Sequence, residues 1–352
     1  MTAAIVVMLV ALAAANGAND VSKGVATLAG AGVAAYRVAI LWGAATTLIG
    51  GLLSIQLGRG MGSLFSKGIV DATPSTAFAL AVLLATAAWV LLASLLKLPV
   101  STTHAIVGSL VGAGFVLAPG SVQWSGVVQK VVLPLLLSIV VAYALSLVLG
   151  IAAKAVVRWT DARQAAADRL LVAASTGEAG TAVEAQARSV EHNVSAASRT
   201  GRVITILHWI SSGATGCARG LNDTPKIAAI GGFALVPAGF SATAVSVLVI
   251  LAMAGGSLAG IRVARTLGEK VLKMSHVEGL TANLTTAGLV GSGALLALPM
   301  STTQVSTGAI VGAAGGQLSR LSGSTLRDFA IAWLITPVFG ALVAALAYTV
   351  LR

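Results

Sequence analysis

Two kinds of short polar motif each occur twice in this chain, and their residue types suit the binding of a small ion. Residues 17–23 (GANDVSK) match residues 220–226 (GLNDTPK) at an offset of 203, and residues 99–103 (PVSTT) match residues 299–303 (PMSTT) at an offset of 200. The first motif offers an Asn, an Asp and a Lys, and the second offers three hydroxyls. Such groups bind an anion through hydrogen-bond donors or a cation through oxygen atoms.

The elements that carry these motifs must be membrane helices. Hydrophobic residues make up 57% of the 352 residues and charged residues only 9%, whereas a soluble domain has about 25% charged residues. Residues 76–96 carry no charge over a length that spans a bilayer core. The sequence therefore predicts an all-α, multi-pass protein of the cell membrane. The net charge of +11 indicates basic cytoplasmic loops. No stretch of the chain interleaves basic with aromatic residues, so a nucleic-acid partner is not expected.

A charged segment divides the chain into two membrane repeats, residues 1–157 and 203–352. Residues 158–202 hold six Arg and five acidic residues, which predicts a soluble linker with a helix around 162–174. Arg residues at both of its ends place it in the cytoplasm. Continuous apolar spans predict full crossings at about 38–58, 76–96, 127–153, 240–261, 277–297 and 328–351.

The segments that carry the motifs have a different pattern. Residues 1–35 form two apolar arms of about 14 residues around a polar interruption, each too short to cross a core of about 30 Å. This pattern predicts a re-entrant hairpin or a broken helix, with Asn19 and Asp20 at its tip, and the same applies to residues 97–118 and to both counterparts. Three crossings in each half would invert the second repeat, so that the four tips meet near the midplane.

Charged side chains inside a membrane are costly and survive mainly where they pair or line a polar cavity. Asp20, Asp223, Lys23 and Lys226 are such residues, and the Lys residues are placed to balance the Asp residues as i,i+3 partners. The alternative is that each Asp only caps the half-helix that follows it.

The hydroxyl triplets predict helix N-termini. Each triplet follows a proline that should end the preceding helix, and each opens a new one, so its hydroxyls and free backbone N–H groups form an anion site. The alternative is that the hydroxyls bond back to carbonyl groups of their own helix. His104 and Gln304 follow the two triplets at matching places. His104 could carry a proton, although donation of a hydrogen bond is the preferred interpretation.

The four motifs together resemble the inorganic phosphate transporter (PiT) family, over both membrane halves. The resemblance implies symport of inorganic phosphate with sodium ions or protons, inverted repeats, a homodimer and a large cytoplasmic linker. Carried over by position, it implies a binding site made of Asn19, Asp20, Ser101, Thr102 and Thr103, with Asn222, Asp223, Ser301, Thr302 and Thr303 opposite.

One departure from the family pattern concerns the coupling ion. The family motif has a second Asn three places after the Asp, where this chain has Lys23 and Lys226. An Asn carbonyl can ligate sodium, but an ammonium has no lone pair for a metal. We therefore hypothesise that the two Lys residues take the places of sodium ions, leave the site neutral and make transport proton-coupled or sodium-independent, because a desolvated Lys can titrate near neutrality. No other cofactor is expected.

Several alternatives remain open from the residues alone. The Asp carboxylates could accept protons from phosphate, which sulfate lacks; if the Lys residues occupy the carboxylates fully, sulfate or another tetrahedral oxyanion could pass. A passive anion channel would need the same site. An intramembrane aspartyl protease using Asp20 and Asp223 is a remote alternative, since it leaves both triplets unexplained. One Cys and four dispersed His predict no zinc site, so the chain is not expected to be an enzyme.

Overall fold

The computed structural model describes the chain apart from residues 72, 176–181, 272, 273 and 316, and gives only the backbone of residues 164, 167, 168, 170–175, 182–200 and 318. Within this described part the chain is almost entirely helical and has no β-strand, which confirms the all-α fold. Among the described residues, five helices are long and apolar enough to cross a bilayer, and a pair bent by 59°, Ala242–Ser257 with Ile261–Val271, would make a sixth.

The helices of the two halves correspond to each other in chain order. The first half contains α1 (Thr2–Asp20), α2 (Ser22–Gly30), α3 (Tyr36–Leu57), α4 (Arg59–Lys67), α5 (Thr76–Leu95), α6 (Thr102–Leu117), α7 (Trp124–Gly126), a π-helical turn (Val127–Val132) and α8 (Leu133–Ser175). The second half contains α9 (Ala182–Leu235), α10 (Ala242–Ser257), α11 (Ile261–Arg265), a π-helical turn (Thr266–Val271), α12 (His276–Leu295), α13 (Thr302–Ala313), a short 3₁₀ turn (Leu318–Arg320) and α14 (Gly323–Leu351).

The two halves interlock, because α6 packs against α14 and α13 packs against α8. Both contacts use a Gly-x-x-x-Gly pair, at residues 108 and 112 in α6 and at residues 308 and 312 in α13. A Cβ atom on Gly108 would lie 2.1 Å from the Pro337 carbonyl oxygen, and one on Gly312 would lie 2.3 Å from that of Tyr143. Only glycine allows the backbones to approach so closely where no hydrophobic effect drives helices together.

Helices α5 and α6 form a hairpin, and so do α12 and α13. In the first hairpin the Thr86 hydroxyl donates to the Ser109 hydroxyl across 3.1 Å, so the chain reverses between the two helices. Lys97 and Ala297 occupy the left-handed backbone region at the two turns, with φ of 62° and 54°. These residues end α5 and α12. Both helices stop before Pro99 and Pro299, as predicted, and the left-handed residue at each turn determines where each helix ends.

The hairpins reach the same region from opposite directions along α9. Phe78, near the start of α5, packs on Phe233 near the end of α9, while His276, at the start of α12, packs on His208 in the middle of α9. The turn of the second hairpin meets α9 between these points, where Asn222 donates to the Met300 carbonyl. The orientation of the two halves in a bilayer stays a prediction.

The GANDVSK and GLNDTPK motifs lie inside long helices. Helices α1 and α2 form one apolar span of 29 residues, Thr2–Gly30, that is interrupted only at Val21. Residues 220–226 lie within α9, which continues across Pro225. The hairpin alternative is therefore wrong for these two segments, and the broken helix holds for the first. A tilted helix can be longer than the bilayer core is thick, so the length of this segment does not require a hairpin.

The predicted linker continues the helices of both halves. Helix α8 runs on to Ser175 and includes the helix expected around 162–174, and α9 begins at Ala182. Residues 176–181 of the linker lie outside the described residues. The domain boundaries and the cytoplasmic location of the linker stay predictions.

Candidate functional site

All ten predicted binding residues come together in one buried region between the halves. Each of them is at most 4% exposed, so this conformation closes the region off from both sides. Asp20 ends α1, Asp223 lies within α9, and the two triplets begin α6 and α13. The region is made of Asn19, Asp20, Ser101, Thr102 and Thr103 from the first half and Asn222, Asp223, Ser301, Thr302 and Thr303 from the second.

The hydroxyl triplets cap two helices, as predicted. Ser101 Oγ accepts a hydrogen bond from the His104 backbone N–H, and Ser301 Oγ accepts one from that of Gln304, both at 3.2 Å. The two tips are also joined, since Thr303 donates to the Val100 carbonyl oxygen at 2.6 Å. Two helix N-termini, each with unpaired backbone N–H groups and a partial positive charge, therefore begin side by side.

The Asp20 carboxylate receives donors from both halves of the chain. Its Oδ1 atom lies 2.7 Å from Lys23 Nζ in a fully buried ion pair. Its Oδ2 atom accepts from the Thr302 hydroxyl at 3.0 Å and from the Asn16 amide at 3.3 Å. Three donors therefore surround this carboxylate, and one of them comes from the opposite repeat.

The Asp223 carboxylate is held in a similar way. Its Oδ1 atom accepts from the Asn222 amide at 2.7 Å and from Lys226 Nζ at 3.3 Å. Its Oδ2 atom lies 3.4 Å from Asn16 Nδ2. Neither Asp caps a helix: α2 begins after Val21 without a side-chain cap, and Asp223 lies mid-helix. The capping alternative is therefore wrong.

The two Asn residues of the motifs fasten the hairpin tips. Asn19 donates to the Leu98 carbonyl oxygen at 2.9 Å and accepts from the Val100 N–H at 3.1 Å. Asn222 donates to the Met300 carbonyl oxygen at 3.1 Å. Their amide groups position the loops that lead into the triplets. This role could not be predicted from the sequence, which shows only that each Asn precedes Asp20 or Asp223.

Some polar atoms around the carboxylates have no partner among the residues that the structure describes. They are Asn16 Oδ1, Asn222 Oδ1, His104 Nδ1 and Gln304 Oε1. His104 therefore makes no hydrogen bond through Nδ1 in this conformation. Buried polar atoms usually have partners, so these four indicate space for a bound ion, water or substrate.

Asn16 is a site residue that sequence analysis missed. Its Nδ2 atom contacts both carboxylates and also donates to the Thr102 hydroxyl at 3.0 Å. It therefore links the two repeats at the centre of the region. It lies one turn before Asp20, on the same helix face.

Arg219 is the second residue that was missed, and it occupies the position equivalent to Asn16 at the offset of 203. Its side chain is 1% exposed. The guanidinium donates to the Thr47 hydroxyl, to Ser257 Oγ at 3.1 Å and to the Gly17 carbonyl oxygen at 3.4 Å. All three acceptors are neutral, and the group is close enough to Asp20 and Asp223 to interact with them electrostatically.

Arg219 corrects the predicted charge balance. The expectation was a neutral region, with two carboxylates facing two ammoniums. The structure buries a third cation beside them, so the five charged groups sum to +1. A buried region with excess positive charge suits an anion, which would supply the missing negative charge.

Comparisons with known proteins agree with this geometry. A profile described as the phosphate transporter family matches residues 16–344. A Mycobacterium tuberculosis (strain H37Rv) protein named "Probable low-affinity inorganic phosphate transporter" is 30% identical over 98% of this chain and 76% of its own length. A Bacillus subtilis (strain 168) protein of the same name is 26% identical over 100% of this chain and 97% of its own length.

A solved structure shares the fold. It is named "The sodium-dependent phosphate transporter", is 23% identical, and superposes with a TM-score of 0.81 over 99% of this chain and 98% of its own. The family profile covers nearly the whole chain and all four polar motifs, which confirms the resemblance and excludes the protease alternative. The chain therefore belongs to the phosphate transporter family, whose substrate is phosphate, and is a multi-pass membrane protein rather than an enzyme.

Proposed function

We propose that this protein carries inorganic phosphate through the region between the two hydroxyl triplets, as a secondary transporter that does not use sodium. The observation that supports this most directly is the surroundings of the two Lys side chains. Each ammonium is buried and lies within hydrogen-bond distance of three oxygen atoms. An oxygen cage of this kind is what a sodium ion would need, and here a fixed positive charge fills it.

Lys23, in α2, lies in a cage made by the last residues of α1. Its Nζ atom lies 3.0 Å from the Asn19 carbonyl oxygen, 3.0 Å from Asn19 Oδ1 and 2.7 Å from Asp20 Oδ1. An ammonium has three protons and no lone pair, so three acceptors satisfy it completely. A metal ion could occupy this place only after the Lys side chain had left it.

Lys226 has acceptors from both halves of the chain. Its Nζ atom lies 2.8 Å from Thr103 Oγ1, 3.2 Å from the Met300 carbonyl oxygen and 3.3 Å from Asp223 Oδ1. Thr103 and Met300 belong to the two hairpin tips. The second ammonium therefore also helps to hold the hairpins together, in addition to balancing Asp223.

Sodium independence can be measured directly. We expect uptake of radiolabelled phosphate into proteoliposomes to be unchanged when choline replaces sodium, because Lys23 and Lys226 already supply the positive charge. The matched variant is Lys23→Asn/Lys226→Asn, which restores the family pattern and should make uptake depend on sodium. Wild-type uptake that collapses in choline would overturn the proposal.

A proton is the coupling ion that this proposal allows. Uptake against a phosphate gradient, driven by an imposed pH gradient, would identify a proton-coupled carrier. Phosphate that only equilibrates across the membrane under every gradient would instead indicate an uncoupled pathway, either a uniporter or a passive channel.

Sulfate is a second candidate substrate because both carboxylates are already largely engaged. Asp20 and Asp223 each accept three hydrogen bonds or ion pairs from protein groups. A carboxylate has about four acceptor sites, so each keeps about one for a phosphate OH group, and its ability to reject sulfate is reduced. Competition of unlabelled sulfate with labelled phosphate distinguishes the two: equal inhibition by both anions would favour a general oxyanion transporter.

The homodimer implied by the family resemblance is also a proposal. Helices α8 and α14 expose many large apolar side chains, which lipid or a second copy could cover. Chemical cross-linking of the protein in native membranes would test it. If only single chains and no cross-linked pairs were found, the proposal would be contradicted.

A further inference from the structure

A cavity of about 540 Å³ outside the buried region is lined by charged groups of predominantly one sign. Lys97 lies at the tip of the first hairpin, and the other lining residues belong to α11 and the π-helical turn after it. Its lining residues are Lys97, Arg262, Arg265, Thr266, Glu269 and Lys270. Four cations face one carboxylate, and all four cationic side chains are exposed. Charges of this kind cannot face the hydrocarbon core, so the cavity opens to water or to lipid head groups.

This cavity is next to the candidate site along two separate elements. Lys97 stands four residues before the helix cap Ser101, in the loop whose Leu98 carbonyl oxygen accepts from Asn19. The π-helical turn packs against α2, which carries Lys23: a Cβ atom on Gly30 would lie 2.6 Å from the Gly268 carbonyl oxygen. An anion in the cavity would therefore lie beside both the first hairpin tip and the broken helix.

A second cavity of the same volume is lined by residues of both halves and has a different charge. It lies at the opposite end of α9, against Pro225 and Gly232, and Arg59 is its one cation among the described lining residues. Arg59 matches Arg262 at the offset of 203. The positions equivalent to Lys97 and Arg265 hold Ala297 and Gly62, while Lys270 is matched by Lys67. The repeats therefore differ at two of the four cationic positions.

We propose that the basic cavity is a second oxyanion site, which binds a phosphate group at the mouth of the pathway. This inference rests on the proposed function, in that it gives the transported anion a site outside the buried region. The π-helical turn ends five residues before His276, which packs on His208. His208 follows the end of the predicted linker at residue 202 by six residues, so the cavity lies on the linker side. The phosphate group could belong to the free anion or to a lipid head group, which share the same chemistry.

The role of such a site follows from electrostatics. Grouped cations beside a low-dielectric wall raise the local concentration of an anion. Because the opposite cavity has one lining cation where the basic cavity has four, the two mouths would hold phosphate with different affinity. That difference would make the apparent KM for phosphate differ between the two directions of transport.

The test compares phosphate binding to pure protein in neutral detergent by titration calorimetry. The variant Lys97→Ala/Arg265→Gln removes two cations from the cavity, and Arg59→Gln removes the cation of the opposite cavity as a matched control. Wild type and the control should show two classes of phosphate site. The double variant should lose affinity at one of them by about fivefold for each cation removed, which is the effect of one unit charge at about 4 Å in water-like surroundings.

Lipid is distinguished from free phosphate in nanodiscs. If a head group is the natural ligand, phosphatidylglycerol nanodiscs should suppress the cavity-dependent phosphate binding that phosphatidylcholine nanodiscs permit. Mass spectrometry should then find the anionic lipid retained by wild type and lost from the double variant. The proposal is overturned if the double variant binds both phosphate and anionic lipid as wild type does. Ser301→Ala should weaken only the other class of site, so a failure of the buried site is separately visible.

Discussion

Replacing Asp20 with Asn is expected to abolish phosphate uptake and to lower the free energy of unfolding by about 3–5 kcal/mol, the usual effect of removing one partner from a buried ion pair. Lys23 is fully buried and would lose the carboxylate 2.7 Å away that balances its charge. The Thr302 hydroxyl from the other repeat would also lose a charged acceptor. Thermal unfolding in detergent and uptake into proteoliposomes measure the two effects.

Two further variants make this prediction specific. Asp20→Asn/Lys23→Gln removes both charges and should recover most of the lost stability without restoring transport. Asp71→Asn changes an exposed carboxylate whose side chain is hydrogen-bonded only weakly, to Gln123 at 3.3 Å, and should change stability by no more than about 0.5 kcal/mol. If Asp20→Asn folds and transports like wild type, the carboxylate is not part of the transport machinery.

Replacing Arg219 with Gln is expected to raise the KM for phosphate at least tenfold. Among the residues that the structure describes, Arg219 is the one buried cation that has no partner carboxylate in hydrogen-bond contact. Its removal lowers the net charge of the region from +1 to zero. A unit charge several ångströms away contributes about 2 kcal/mol at an effective dielectric constant of about 20. Initial rates of uptake as a function of phosphate concentration measure the change.

The control for this experiment is the exposed arginine Arg327, whose partner Asp328 is its chain neighbour. Arg327→Gln should leave KM unchanged. Arg219→Lys keeps the charge but loses the planar group that reaches Ser257, Thr47 and Gly17 together. Its affinity for phosphate should therefore lie between those of Arg219→Gln and the wild type. A KM that stays at the wild-type value in Arg219→Gln would show that the excess charge does not attract the anion.

Much of the candidate site was predictable because its motifs are duplicated. The offsets of 203 and 200 identified both Asp–Lys pairs and both triplets, and the structure brings all of these side chains together. The helix caps at Ser101 and Ser301 were predictable for a local reason, since a hydroxyl at the start of an apolar run satisfies free backbone N–H groups.

The residues that sequence analysis missed are those whose role depends on the packing of different helices. Asn16 acts by lying between Asp20 and Asp223, which are brought together only by the fold. Arg219 could have been found from its place in an apolar run and from its equivalence to Asn16, because a buried arginine in a membrane helix is costly.

The positions at which the chain reverses direction could also not be predicted from the sequence pattern. Hydropathy located the apolar segments, but it does not distinguish a hairpin arm from a crossing. The turns at Lys97 and Ala297 depend on a left-handed backbone at residues that rarely adopt it. That conformation is held by packing at the tips, where Asn19 and Asn222 fasten the loops, and not by local sequence preference.

The most direct test of the central claim is a structure of the protein determined with tungstate, a tetrahedral oxyanion that scatters strongly. We expect density between the N-termini of α6 and α13, with oxygen atoms within hydrogen-bond distance of the Ser101–Thr103 and Ser301–Thr303 hydroxyls, in the absence of sodium. Density confined to the basic cavity beside Lys97, with an unchanged region around Asp20 and Asp223, would contradict the claim that the two repeats bind the anion jointly.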